Sequence, residues 1–72
     1  MFEKDWKNLT VEEVQDELRE FLRESENEKE LKEKCNNRFK GPIMMVSWGE
    51  RWRSVYIATY KWNYSIGADV LV

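Results

Sequence analysis

Residues 51–64 read RWRSVYIATYKWNY, and this stretch decides the fold that we expect. β-Branched and aromatic residues dominate it and neither Gly nor Pro interrupts it, which is typical of a β-strand. Because successive side chains of a strand point to opposite faces, one face is aromatic and the other is largely β-branched with flanking cations. The first carries Trp52, Ser54, Tyr56, Ala58, Tyr60 and Trp62, and the second carries Arg51, Arg53, Val55, Ile57, Thr59 and Lys61.

The pattern leaves open which of these two faces is buried. Burial of the β-branched face beneath a helix would let Arg53 and Lys61 extend their charged ends into water. It would also leave Trp52, Tyr56 and Tyr60 exposed, as rigid anchors of the kind that binding surfaces use. The opposite choice would bury the aromatic rings and expose an ordinary Val/Ile/Thr face. We expect the first arrangement.

Strands are predicted on both sides of this one. Residues 43–48 form an apolar run of strand length, and Gly49 is free to adopt a positive φ in a tight turn. Residues 43–48 and 51–61 are therefore predicted to pair as an antiparallel hairpin. Alternation resumes after residue 63, which predicts a third strand beside the second. Its buried set would be Tyr64, Ile66, Ala68, Val70 and Val72.

A helix is predicted to begin after Thr10. Thr10 and Glu13 have the spacing of a capping box, in which each side chain accepts from the other's backbone amide. Leu9 and Val14 have the spacing of a hydrophobic staple. Apolar residues then recur on one narrow helical face, at Val11, Val14, Leu18, Phe21 and Leu22.

The helical part, residues 10–37, is predicted to break at about 25–27. In one straight helix Leu31 would lie about 180° around from Leu22, on the wrong side. Residues 24–30 also contain no apolar side chain. The alternative is one long helix whose charged middle stands in water.

Two residue pairs in this interval have capping-box spacing, Ser25 with Glu28 and Asn27 with Glu30. Either pair would begin a second helix that ends near residue 37. The buried face of that helix would consist of Leu31, Cys35 and Phe39.

These elements predict one small α+β domain, with one or two N-terminal helices packed on a three-stranded antiparallel sheet. Its parts are an N-terminal arm (1–9), the helical part (10–37) and the sheet (42–72). In the arm, Phe2 and Trp6 are four residues apart, so one helical turn would place both against the body. A chain of 72 residues has room for a single core.

Composition argues against several classes of function. With no His and one Cys, a structural zinc site and His-assisted nucleophiles are excluded. We therefore expect no metal, no cofactor and no enzymatic activity. Cys35 follows Lys32 and Lys34, which could lower its pKa slightly, but its helical spacing from Leu31 favours core packing.

Without a secretory signal or an apolar run that spans a membrane, we expect a cytoplasmic protein with no membrane partner.

The aromatic strand is the feature with functional content, because Trp, Tyr and Arg are enriched at interface hot spots. We expect a non-enzymatic protein-binding module, a small inhibitor or adaptor that occupies a surface of a larger protein. Accessory proteins of phages and mobile elements act in this way, although that comparison is an analogy of size and fold. The open sheet edges would also permit a homodimer. The predicted partner-binding residues are Arg51, Trp52, Arg53, Tyr56, Tyr60, Lys61 and Trp62.

Single-stranded nucleic-acid binding by the same aromatic strand is the alternative, since bases stack on exposed rings. Charge argues against it, because the formal net charge is −2 and nucleic-acid binders normally carry a basic patch. Residues 1–35 hold twelve acids and seven bases, whereas residues 36–72 hold two acids and five bases. The acidic helical half would repel phosphate.

Overall fold

A computed structural model describes residues 6–39, 43–58 and 65–72, and in them two α-helices precede a three-stranded antiparallel sheet. The predicted α+β arrangement is confirmed. The elements are a 3-10 turn (Trp6–Asn8), α1 (Val11–Glu24), α2 (Glu28–Phe39), β1 (Ile43–Trp48), β2 (Trp52–Ile57) and β3 (Ile66–Leu71).

Helix α1 begins at the predicted capping box. The Thr10 amide donates to Glu13 Oε1 at 3.0 Å, and the Glu13 amide donates to Thr10 Oγ1 at 3.2 Å. The helix ends at Ser25, whose backbone is extended and whose amide and hydroxyl both donate to the Phe21 carbonyl, at 3.0 and 2.7 Å. A side chain close in sequence thus bonds the backbone at each end of α1.

The predicted break between two helices is confirmed, and Asn27 begins the second one. The Glu30 amide donates to Asn27 Oδ1 at 2.9 Å. Helix α2 runs to Phe39, two residues beyond the end expected near residue 37. Its buried face, as predicted, consists of Leu31, Cys35 and Phe39.

An ion pair and an aromatic contact join the two helices. Arg38 Nε donates to Glu17 Oε1 at 2.6 Å and Arg38 Nη2 donates to Glu17 Oε2 at 3.1 Å, a bidentate pair that is mostly buried. The rings of Phe21 and Phe39 meet edge to face with centroids 6.2 Å apart. These contacts close α1 and α2 into one layer.

The strands lie in the order β1-β2-β3, so the predicted third strand does return beside the second. Val55 lies opposite Val46 and Ala68 in the two ladders. The hairpin differs from expectation at Gly49, whose φ does not lie in the left-handed region. Its amide donates to the Trp52 carbonyl at 2.9 Å, and a Cβ there would lie 3.0 Å from that oxygen. Close backbone approach, rather than a left-handed conformation, is the reason for a glycine here.

The helices cover the β-branched face of the sheet, as expected. Val55 and Ile57 are fully buried, and α1 makes most of its sheet contacts with β3. The predicted inward set of the third strand is buried at Ile66, Ala68 and Val70. Val72 departs from it and is half exposed, because β3 ends at Leu71. Thr59 and Tyr64 lie outside the described residues.

The N-terminal segment closes the core at one end. Trp6 and Leu9 are both 5% exposed and belong to the main apolar cluster, which confirms the predicted packing of Trp6. Phe2 lies outside the described residues. Among the helices described, none has both the length and the apolar character needed to cross a bilayer.

Candidate functional site

The sheet face turned away from the helices presents large apolar side chains to solvent. Trp52 is 43% and Tyr56 46% exposed on the central strand, and Met45 and Leu71 are more exposed still on the flanking strands. We call this surface, defined by Met45, Trp52, Tyr56 and Leu71, the open face. Its two rings lie on either side of Ser54, which is buried.

Strand alternation and the ladder register bring these residues together. Tyr56 lies opposite Met45 in β1 and opposite Gly67 in β3. Trp52 lies opposite Leu71 at the other end of the β2–β3 ladder. The open face is therefore assembled from all three strands, and its aromatic residues occupy the central one.

The Tyr56 ring lies directly against Gly67. A Cβ built on Gly67 would fall 2.4 Å from both Cδ2 and Cε2 of Tyr56, well inside van der Waals contact. Only a residue without a side chain allows the ring to lie there. The aromatic side chain covers the glycine backbone, and the glycine in turn directs the ring towards β3.

The Trp52 indole is also directed towards β3. Its Nε1–H donates to Asp69 Oδ2 at 2.9 Å, a hydrogen bond to a charged acceptor. Asp69 and Gly67 occupy alternate positions of β3, on the same face of the sheet. Both exposed rings of β2 therefore have a defined partner on the neighbouring strand.

A groove of about 310 Å³ lies along this part of the sheet. That volume is at the small end of the range for ligand pockets. Helix α1 contributes to it through Gln15, whose Nε2 donates to the Gly67 carbonyl at 3.0 Å. We call it the β3 groove; its lining residues are Gln15, Trp52, Tyr56, Gly67, Ala68 and Asp69.

Arg53 does not extend its charged end into water, so that expectation was wrong. It lies on the covered face, where its Nη1 donates to the carbonyls of Leu22 and Ser25 at 2.8 and 3.1 Å. The guanidinium carbon lies 4.2 Å from the centroid of the Trp48 ring. A cation at the C-terminal carbonyls of a helix offsets the negative end of the helix dipole. Arg53 thus closes the end of α1 and attaches it to the sheet.

Of the remaining predicted binding residues, the structure describes Arg51, which does not line the β3 groove. Arg51 is exposed in the loop between β1 and β2, and its carbonyl accepts from the Val72 amide at 2.9 Å. Tyr60, Lys61 and Trp62 lie outside the described residues.

Sequence reasoning missed six of the residues on the open face or in the groove, namely Gln15, Met45, Gly67, Ala68, Asp69 and Leu71. Gly67 could have been recognised, because an isolated glycine in a strand pattern indicates close approach of another group. The other five depend on the strand register and on the position of α1. Neither can be read from local sequence.

Cys35 is a buried core residue, 1% exposed, as its helical spacing predicts. Burial raises the pKa of its thiol from 9.0 to about 12. The slight lowering that Lys32 and Lys34 could cause does not determine this pKa, because desolvation of the thiolate raises it. Within the described ranges no group of His, Cys, Asp and Glu side chains could hold a metal ion.

Two features affect how the sheet edges could pair with another strand. The β1–β2 register shifts between Ile43 and Met45, which disturbs the edge strand β1. On edge strand β3, the Gly67 carbonyl already accepts from Gln15. A homodimer through a sheet edge stays a prediction, and these features disfavour long regular strand addition.

Comparisons with known proteins do not identify a function for this surface. No protein-family model, curated protein or solved structure gives a significant match to the chain.

Proposed function

We propose that this chain is a non-enzymatic protein-binding module, a cytoplasmic inhibitor or adaptor that docks on a larger protein through its open face. The observation that carries the proposal is the exposure of Trp52 and Tyr56 in defined orientations on the central strand. Met45 and Leu71 extend the apolar surface to both neighbouring strands.

The orientation of the two rings matters as much as their exposure. Trp52 is hydrogen-bonded to Asp69, and Tyr56 rests on the Gly67 backbone. Association must offset the entropy of ordering side chains at the interface, and side chains already held in place lower that cost. Rigid aromatic residues with a polar tip are the anchors that protein-binding surfaces favour.

Single-stranded nucleic-acid binding remains the alternative, because exposed aromatic rings also stack on bases. Two observations disfavour it. Asp69 places a carboxylate beside Trp52, where it would repel a phosphate. Arg53, one of the few cations of the strand, is engaged at the end of α1.

Affinity capture with matched baits tests the proposal. Wild-type protein, Trp52→Ala, Tyr56→Ala and Lys29→Ala would be immobilised and exposed to lysate of the source cells, with and without nuclease. Lys29 is exposed on α2, away from the open face, and serves as the control. We expect a protein that wild type and Lys29→Ala retain and that both aromatic variants lose. Thermal unfolding of each bait verifies that it is folded.

Salt and nuclease distinguish the two functions. Phosphate-driven binding falls steeply between about 50 and 200 mM salt, whereas an aromatic protein interface changes little. Capture that survives nuclease and higher salt supports protein binding. Capture that is abolished by nuclease, together with saturable binding of a single-stranded oligonucleotide, would replace the proposal by its alternative.

A further inference from the structure

We propose that the β3 groove takes a cationic side chain of the partner protein, an arginine in preference to a lysine. This inference rests on the proposed function and specifies what part of the partner enters the groove. Its basis is the combination of one carboxylate, two exposed aromatic rings and a side-chain amide along the same groove.

Internal hydrogen bonds already use two of the three N–H donors that Trp52 and Gln15 bring to the groove. Trp52 has a single donor, Nε1–H, which is bound to Asp69. One of the two amide N–H groups of Gln15 donates to the Gly67 carbonyl. Apart from the second Gln15 N–H and the amphoteric Tyr56 hydroxyl, the side-chain groups that remain for a ligand are acceptors, and the charged one is the Asp69 carboxylate. This balance favours a ligand that is rich in donors and carries positive charge.

Asp69 supplies both the charge and the acceptors. A carboxylate offers about four lone-pair sites, of which the Trp52 indole uses one on Oδ2. Oδ1 has no hydrogen bond to any residue that the structure describes. A guanidinium presents its N–H donors in a planar fork that matches a carboxylate, whereas an ammonium is a compact point charge. This difference favours arginine.

The aromatic rings add to the same preference. The faces of Trp and Tyr attract cations, and a guanidinium plane also stacks on them. Trp52 and Tyr56 both line the groove, held there by Asp69 and Gly67. A phosphate or carboxylate ligand would meet Asp69 instead.

An NMR titration of the free protein tests the cation site without the partner. The probe is N-acetylarginine amide, compared with its neutral isostere N-acetylcitrulline amide and with N-acetyllysine amide. The readout is the indole Nε1–H resonance of Trp52, which reports on the hydrogen bond to Asp69. We expect a saturable shift with arginine, a weaker one with lysine and none with citrulline. Equal shifts with arginine and citrulline, or no shift with either, would overturn the inference.

Asp69→Asn removes the negative charge from the groove and retains an oxygen that can accept from the Trp52 indole. Glu33→Gln is the matched control, because it removes one exposed acidic charge from α2. We expect the arginine-induced shift to disappear in Asp69→Asn and to persist in Glu33→Gln. An unchanged shift in Asp69→Asn would contradict the proposal. If Asp69→Asn does not fold, the comparison of arginine with citrulline in the wild-type protein still tests whether the groove binds a cation.

Binding to the captured partner separates this inference from the proposed function. Asp69→Asn should weaken partner binding by roughly two- to fivefold, the effect expected of an exposed charge pair, since the two aromatic rings remain. Glu33→Gln should leave it unchanged. If Tyr56→Ala loses the partner but Asp69→Asn does not, protein binding stands and the cation site is refuted. If the arginine probe binds the free protein but Tyr56→Ala loses no captured protein, the cation site stands and the proposed function fails.

Discussion

The ring of Tyr56 lies on the backbone of Gly67, across the ladder that joins β2 and β3. The two residues are directly opposite each other, and the absence of a side chain on Gly67 leaves the space that the ring occupies. This contact forms one wall of the β3 groove. The shape of the proposed binding surface therefore depends on a residue that contributes no side chain to it.

Gly67→Ala should displace the Tyr56 ring and destabilise the fold by about 1 kcal/mol, the lower end of the range for overpacking because the ring is half exposed. The free energy of unfolding in urea measures the effect. In a Tyr56→Ala background the same substitution should cost nothing, since the clash has been removed. An equal loss in both backgrounds would show that the ring does not restrict residue 67.

Arg53→Met should destabilise the protein by about 1–2 kcal/mol. It retains the apolar stem but removes two charged hydrogen bonds to the end of α1 and the contact with Trp48. Arg51→Met is the matched control, because Arg51 is exposed in the loop and should change stability by less than about 0.5 kcal/mol. Equal effects of the two substitutions on urea unfolding would contradict a capping role for Arg53.

Thr10→Ala removes the acceptor for the Glu13 amide at the start of α1 and should cost about 1 kcal/mol. In a domain of this size, that loss lowers the melting temperature by about 4–8 °C. Glu13→Ala removes the reciprocal bond to the Thr10 amide. The double variant should lose less than the sum of the single losses, because the two bonds form one box. An unchanged melting temperature in Thr10→Ala would show that the cap does not stabilise the helix.

Cys35 should make stability fall at alkaline pH. Its thiol has a pKa of about 12 when folded and an ordinary value of 9.0, so the unfolded chain loses the proton first. The contribution of this thiol to the free energy of unfolding is constant below pH 9. It falls between pH 9 and 12, by up to about 1.4 kcal/mol per pH unit. Urea unfolding of wild type and Cys35→Ala at several pH values isolates the effect of the Cys35 thiol. Lys and Tyr titrate in both proteins, so their effects cancel in the difference between the two free energies of unfolding. The stability difference between them should narrow above pH 9.

Native-state labelling gives an independent check on Cys35. A protonated and buried thiol should react slowly with a thiol reagent near neutral pH and quickly after unfolding. Fast labelling of the folded protein would show that Cys35 is accessible and not part of the core.

Much of the fold could be predicted because its determinants are local. The capping box of Thr10 and Glu13 lies within four consecutive residues, and the break before α2 follows from a polar interval and a reversal of the apolar face. The alternation of β2 placed Val55 and Ile57 on one face, and the expected burial of that β-branched face is observed. These signals require no knowledge of where distant segments lie.

Only the tertiary structure decided the role of Arg53. Its position beside a buried strand face was predictable, but its partners are carbonyls of Leu22 and Ser25, about thirty residues earlier in the chain. An arginine at the rim of a sheet can reach water or a neighbouring helix end, and the packing angle of α1 selects between them. Sequence spacing alone does not contain that angle.

The β3 groove was likewise beyond the sequence. Tyr56 meets Gly67, and Trp52 meets Asp69, only in one register of the β2–β3 ladder. A slip of one residue would turn Gly67 and Asp69 to the covered face. The sequence by itself determined which residues alternate, cap and turn, because those effects act within a few residues. The structure decided which side chains meet, because strand register and helix placement are set by the packing of the whole core.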